Sequence, residues 1–155
     1  MKHPDRVPAT YTRTQGVRHL LAAYDLENDK LFGIIKKHKR WIEFLHLLKI
    51  IRRLYPQRLY RRLLIVLDNC SSHKKDEVKS WCRENGVWLI FTATNASWMN
   101  RIECHFGPVR EFVLNNSNYK NHRELAQAFK EHLRWRNLHP SDLRILKAQN
   151  KIYVI

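Results

Sequence analysis

An α/β layer architecture is what the 155-residue sequence predicts, on three observations. Strand-length apolar segments recur at 17–26, 31–35, 63–67 and 87–91. Between them, at 41–55 and 74–84, the apolar spacing changes to three and four, the period of a helix with one buried face. The run Leu63-Leu64-Ile65-Val66-Leu67 is wholly apolar between polar flanks, the mark of a strand covered on both faces, and it ends directly on Asp68. A strand–helix–strand–helix order of this kind favours helices layered on a sheet.

The elements follow in order. Residues 1–16 are polar, contain proline and show no period, and so read as an extended arm. Val17 to Leu26 and Leu31 to Ile35 flank an Asn28-Asp29 turn and read as a hairpin. From Trp41 to Tyr55, Trp41, Phe44, Leu45, Leu48 and Ile51 share one helical face, and Pro56 stops the helix. Ser71 and Ser72 are expected to cap a helix at 74–84, with Val78, Trp81 and Cys82 inward and Gly86 at its end. Val87 to Phe91 is the next strand, and helices at 98–115 and 121–137 follow. The resulting division is an arm at 1–16, a domain at 17–137 and a tail at 138–155. A dinucleotide site is excluded, because the turn from Asp68 to His73 contains no glycine.

The chain carries 29 Lys and Arg against 14 Asp and Glu, a net charge of +15, which attracts polyanions and nucleic acid above all. Lys36, Lys37, Lys39 and Arg40, the cluster at 58–62, and Arg101, Arg110, Arg123, Lys130, Arg134 and Arg136 are the expected phosphate contacts. Trp81, Trp88, Phe91 and Trp98 read as core rather than as base-stacking platforms. No apolar run is long enough to span a membrane and no signal-peptide pattern is present, so the chain reads as cytoplasmic. Three cysteines suit a reducing compartment. Cys70 with His73 and Cys104 with His105 resemble zinc ligands, but without a paired CxxC or HxxxH they read as small buried thiols beside ordinary histidines.

Two acids stand out. Asp68 closes a strand, the place where ligands bind in α/β sheets; its competing role is an Asx turn. Glu103 lies near a helix start, with 34 residues between the two, about a quarter turn from the stripe Trp98, Ile102, Phe106, Val109 and Val113. Its competing role is a first-turn acid favoured by the helix dipole. Folded together, two such carboxylates can hold a divalent metal, and in so basic a chain the fitting substrate is a phosphodiester. His73 is expected to hydrogen-bond near the strand end and fix the loop.

These residues resemble the catalytic domain of DDE-type transposases, specifically the bacterial insertion-sequence branch related to mariner elements. The matching segments are Pro8 to Arg13, Gly16 to Asp25, Leu64 to Asn69 with His73, and Ala96 to Glu103, and the spacing of 34 is itself a mark of that branch. The resemblance implies a ribonuclease H-like fold, with Asp68 and Glu103 as metal ligands and Asn69, His73 and Asn100 at accompanying motif positions. It implies two Mg2+ or Mn2+ ions, cleavage of element ends and their joining to target DNA, and location at the nucleoid.

Two departures accompany it. Ala93 stands where the family usually has proline. The family's first aspartate lies on a central strand preceding Pro8, so the expectation is a chain truncated before that strand, with the hairpin and the Asp68 strand each left with an open edge. Asp5, Asp25 and Asp29 are poorly placed to substitute. The chain is therefore expected to act with an upstream-encoded portion or full-length transposase, or else to be a catalytically dead DNA-binding protein or inhibitor of that transposase.

Overall fold

The computed structural model describes residues 16–93, 100–115, 117–140 and 143. The arm expected at 1–16 therefore lies outside the described residues apart from Gly16, and the tail apart from 138–140 and 143. The architecture is mixed α/β.

Strand β1 (His19–Asp25) pairs antiparallel with β2 (Lys30–Lys36), with Asp25 opposite Lys30 at the turn. The Asp25 carboxylate accepts the backbone N–H groups of Glu27 (2.9 Å) and Asn28 (3.1 Å), and Asp29 sits at φ 50, a left-handed value that aspartate tolerates. Helix α1 (Trp41–Leu54) starts where the Arg40 N–H donates to Glu43 at 3.0 Å, and it buries Phe44, Leu47, Leu48 and Ile51. Strand β3 (Leu63–Leu67) pairs parallel with β4 (Val87–Phe91), in register from Leu63–Val87 to Leu67–Phe91. Between them run a 3-10 turn at Ser71–Lys74 and helix α2 (Asp76–Glu84). Gly86 follows α2 at φ 62, where a Cβ would stand 2.7 Å from the Arg61 carbonyl, so the bend into β4 requires glycine.

Helix α3 (Glu103–Val109) contains Pro108, which donates no backbone hydrogen bond, and continues as a wider π turn at Arg110–Leu114. Helix α4 (His122–Leu138) begins at Asn121, whose side chain accepts the N–H groups of Arg123 and Glu124, both at 3.0 Å. Two apolar clusters result. Phe44, Leu48, Leu67, Val78, Cys82 and Val87 join α1 and α2 to the parallel pair; Leu31, Val109, Val113, Phe129 and Leu133 join the hairpin to α3 and α4.

The described strands form two two-stranded sheets that share no strand, as expected where the hairpin and the Asp68 strand lack a common neighbour. Three expectations are corrected. The run 63–67 is covered on one face only: Leu64, Val66, Trp88 and Ile90 alternate onto the face away from α1 and α2, with Leu64 64% and Trp88 54% exposed. Trp88 is thus not core; the Arg62 guanidinium lies over its ring, 5.2 Å from the centroid. Ser71 and Ser72 belong to the 3-10 turn, while α2 is preceded by Lys75 without a side-chain cap and carries Asp76 and Glu77 in its first turn.

The third correction is Arg136, expected on the phosphate-facing surface but 2% exposed. It follows Phe129 and Leu133 on the buried stripe of α4, and its guanidinium pairs with the Asp29 carboxylate and backbone carbonyl. Burial alone would raise the Asp29 pKa, but hydrogen bonds from Arg136 and Tyr24 outweigh it and hold the carboxyl below its ordinary value.

Two variants of this pair should differ. Asp29→Asn leaves a buried guanidinium uncompensated and is expected to cost about 3–5 kcal/mol in chemical denaturation. Arg136→Met leaves a partly hydrated carboxylate and a carbonyl without their donor and should cost about 1–3 kcal/mol. Because the folded pKa of Asp29 is depressed, its contribution is complete above the unfolded value of about 3.9 and fades as pH falls through the folded value. The acid-induced loss of stability should accordingly be shallower in Arg136→Met.

Candidate functional site

Asp68 is the first residue beyond β3, and its side chain is 63% exposed. The loop after it is fixed locally. The Cys70 N–H donates to the Asp68 carboxylate at 3.1 Å, and the His73 N–H donates to the Cys70 carbonyl at 3.0 Å, closing the 3-10 turn. That turn returns the His73 ring to Asp68, with Nδ1 at 3.0 Å from a carboxylate oxygen and 3.3 Å from the backbone carbonyl. Phe44 supports the imidazole from α1, ring centroids 4.2 Å apart. The Asn69 amide donates to the Thr92 carbonyl, and Thr92 N–H to the Leu67 carbonyl at 2.9 Å, so the ends of β3 and β4 are tied together. Asn69 and His73 thus hold the loop that carries Asp68.

Glu103 opens α3, and its N–H donates to the Asn100 carbonyl at 3.0 Å. Asn100 shapes this turn through its backbone. Asp68, His73, Asn100 and Glu103 all line one cavity of about 640 Å³, which also runs along β1 and β3. The Glu103 carboxyl is pushed above its ordinary pKa, first by burial and then by the negative charge of Asp68. Two acids far apart in sequence are therefore electrostatic neighbours.

Asp25 also lines the cavity, but its chemistry differs. It accepts the Tyr55 hydroxyl and, at 2.8 Å, the Asn28 amide. Burial would raise its pKa; these hydrogen bonds outweigh that and lower it. Asp25 is thereby committed to joining the hairpin turn to the end of α1.

Of the expected phosphate contacts, Lys37, Lys39 and Arg40 are exposed before α1, Lys36 is half-buried at the end of β2, and Lys39 borders the cavity. Arg40 is also held by Glu43, at 2.8 Å. Arg101 and Arg110 are exposed on either side of α3. Residues 94–99, with Trp98 at the head of the expected stripe, lie outside the described residues. Of that stripe, Val109 and Val113 are buried and Ile102 packs against them.

The thiols divide unequally. Cys82 and Cys104 are buried, as expected, but Cys70 is only partly so. The ligand atoms of Asp68, Cys70 and His73 lie within 4.8 Å of one another. The sequence pairs Cys70 with His73; the spacing Asp-x-Cys-x-x-His that adds Asp68 is equally legible there, but it is the 3-10 turn that brings the three together.

A family model described as DDE superfamily endonuclease matches residues 2–126. A search of curated proteins finds no significant match. Among solved structures, the chain is similar to one from the cryoEM structure of the simian T-cell lymphotropic virus intasome in complex with PP2A regulatory subunit B56 gamma, with a TM-score of 0.57 and 17% identity. The likeness covers 71% of this chain and 40% of that one, so the chain spans less than half of its neighbour's length; at this identity it is a likeness of fold.

The electrostatic coupling is directly measurable. Asp68→Asn should lower the Glu103 pKa part of the way to its ordinary value, leaving the contribution of burial. NMR titration of the Glu103 side-chain carboxyl reads this; an unchanged midpoint would mean that the two groups do not sense each other.

Proposed function

The chain belongs to the DDE superfamily of endonucleases, and from that membership we propose that it carries part of a transposase-type site in which Asp68 and Glu103 hold catalytic metal ions. The observation that carries this reading is the shared cavity, in which burial first and the charge of Asp68 second raise the pKa of Glu103. Like charges brought together at a cost are what a bound cation relieves. Carboxylate oxygens are hard donors that suit Mg2+ and Mn2+. When bound, a pair of such ions supplies an activated water or DNA 3′-hydroxyl and stabilises the leaving oxygen.

The chain's own residues do the positioning. The Cys70 N–H orients the Asp68 carboxylate, Asn69 anchors its loop to β4, and His73 buttresses it from the side. Lys36, Lys37, Lys39, Arg40, Arg101 and Arg110 contact the phosphates of element ends and target DNA. Ile102 and the apolar residues behind it seat the Glu103 helix on the hairpin. The branch is the insertion-sequence group related to mariner elements, and the site of action is nucleoid DNA in the cytoplasm. Among the described residues no helix is long and apolar enough to cross a membrane.

We further infer a ribonuclease H-like sheet completed by a strand between β1 and β3, bearing the third carboxylate. The cavity runs along both β1 and β3, each the unpaired edge of its two-stranded sheet, which is where such a strand would pair. Such a strand comes from residues beyond those described here, or from a full-length transposase.

Plasmid nicking in Mg2+ or Mn2+ tests the reading, with the chain alone and joined to the polypeptide encoded directly upstream. The chain alone should nick no faster than its Asp68→Asn variant. The joined form should nick, and Asp68→Asn or Glu103→Gln should each slow it by about a hundredfold or more. Nicking by the joined form that survives both substitutions would refute the assignment, while tight DNA binding without nicking would favour a pure binder. Independently, Lys37→Ala with Lys39→Ala should reduce the slope of log affinity against log salt by about two, one phosphate each.

A further inference from the structure

Asp68 stands in a second donor set that owes nothing to Glu103. One short loop brings together a carboxylate, a thiol and an imidazole, with Asp68 and His73 already 3.0 Å apart and all three ligand atoms within 4.8 Å. The loop is preshaped by the Cys70 N–H on Asp68, the His73 N–H on the Cys70 carbonyl, and the ring of Phe44 against His73. The Cys70 sulfur lies 3.2 Å from the Ser72 hydroxyl.

We propose that Asp68, Cys70 and His73 form a binding site for a zinc-class divalent cation. Tetrahedral coordination at 2.0–2.3 Å spaces donors about 3.3–3.8 Å apart. The loop must therefore contract by about an ångström at its widest, within reach of a side-chain rotation at the exposed Asp68 or half-exposed Cys70. Sulfur, nitrogen and oxygen on one ion is a zinc-type set, whereas Mg2+ wants six oxygens in an octahedron. Three protein donors leave the fourth position to water or to a ligand. The other Cys-His pair does not complete the set: the Cys104 thiol donates to the Arg101 carbonyl at 3.1 Å, and His105 packs on Tyr24 with ring centroids 4.1 Å apart.

One consequence rests on the reading of Asp68 and Glu103 given above: zinc on the loop engages Asp68 and so opposes any magnesium-dependent chemistry at the shared carboxylate. The site itself is tested without DNA. Titration of the intact, reduced chain with cobalt(II) should produce a near-ultraviolet thiolate-to-cobalt band, and zinc but not magnesium should abolish it. Cys70→Ser should remove the band while Cys82→Ser and Cys104→Ser retain it. His73→Ala and Asp68→Asn should each weaken cobalt affinity by about tenfold or more, with the fold preserved by circular dichroism. Glu103→Gln should retain the thiolate-to-cobalt band that Cys70→Ser removes, which separates this site from the Asp68–Glu103 pair. Absence of the band, or its survival in Cys70→Ser, would overturn the proposal; the second result would mean adventitious binding elsewhere on the chain.

Discussion

The hairpin and the parallel strand pair are joined by side-chain packing instead of by a strand ladder, and the geometry of the site depends on that. Helix α1 presses Phe44 and Leu48 against Leu67, Val78 and Val87, with Leu21 of the hairpin at the margin of the same cluster. The opposite side of the hairpin, through Leu20, Tyr24 and Ile35, meets the cluster that holds Val109 of α3 and Phe129 of α4. Asp68 therefore rides on one core and Glu103 on the other, and the hairpin between them sets how closely the two carboxylates approach. Gly33 permits part of this: a Cβ there would stand 2.8 Å from the Phe129 ring. The Asp29–Arg136 pair then locks the hairpin turn to α4.

The acids in and around this framework separate by how they are satisfied. Asp25 and Asp29 face donors of the protein itself, Tyr55 with Asn28 in one case and Arg136 with Tyr24 in the other, and both pKa values fall. Glu103 shifts the opposite way, because burial and the neighbouring Asp68 act in concert. A carboxylate whose charge the fold stabilises is doing structural work; one whose charge the fold opposes is stabilised only by something added. The contrast, more than position alone, distinguishes Glu103 from Asp25 and Asp29.

Periodicity made most of the elements legible. The described strands and the helices α1 and α4 fall within two residues of their expected limits, because each carries either a strand-length apolar block or an apolar stripe at helical spacing. Its failures are equally physical. An apolar run such as 63–67 reports that a strand is hydrophobic, and cannot report which of its faces is covered, so the exposure of Leu64, Val66 and Trp88 is not legible in it. Arg136 was judged by residue type, although its spacing from Phe129 and Leu133 sets it on the inner stripe. The position of Asp68 at a strand end was readable; its closeness to Glu103 was not, since that is set by two separate cores meeting across a hairpin.

The open edges bind these themes together. Two-stranded sheets are marginal by themselves, and an unpaired edge invites another strand. Here β1 and β3 border the same cavity, and the face carrying Leu64, Val66, Trp88 and Ile90 adds apolar surface beside it. The strand proposed above would satisfy both rows of backbone groups at once. It would also replace side-chain packing by a continuous ladder between the two halves, fixing the hairpin and, through it, the Glu103 helix. In such a molecule, completion of the sheet and assembly of the carboxylate site are one step: what stabilises the fold also determines where its charges meet.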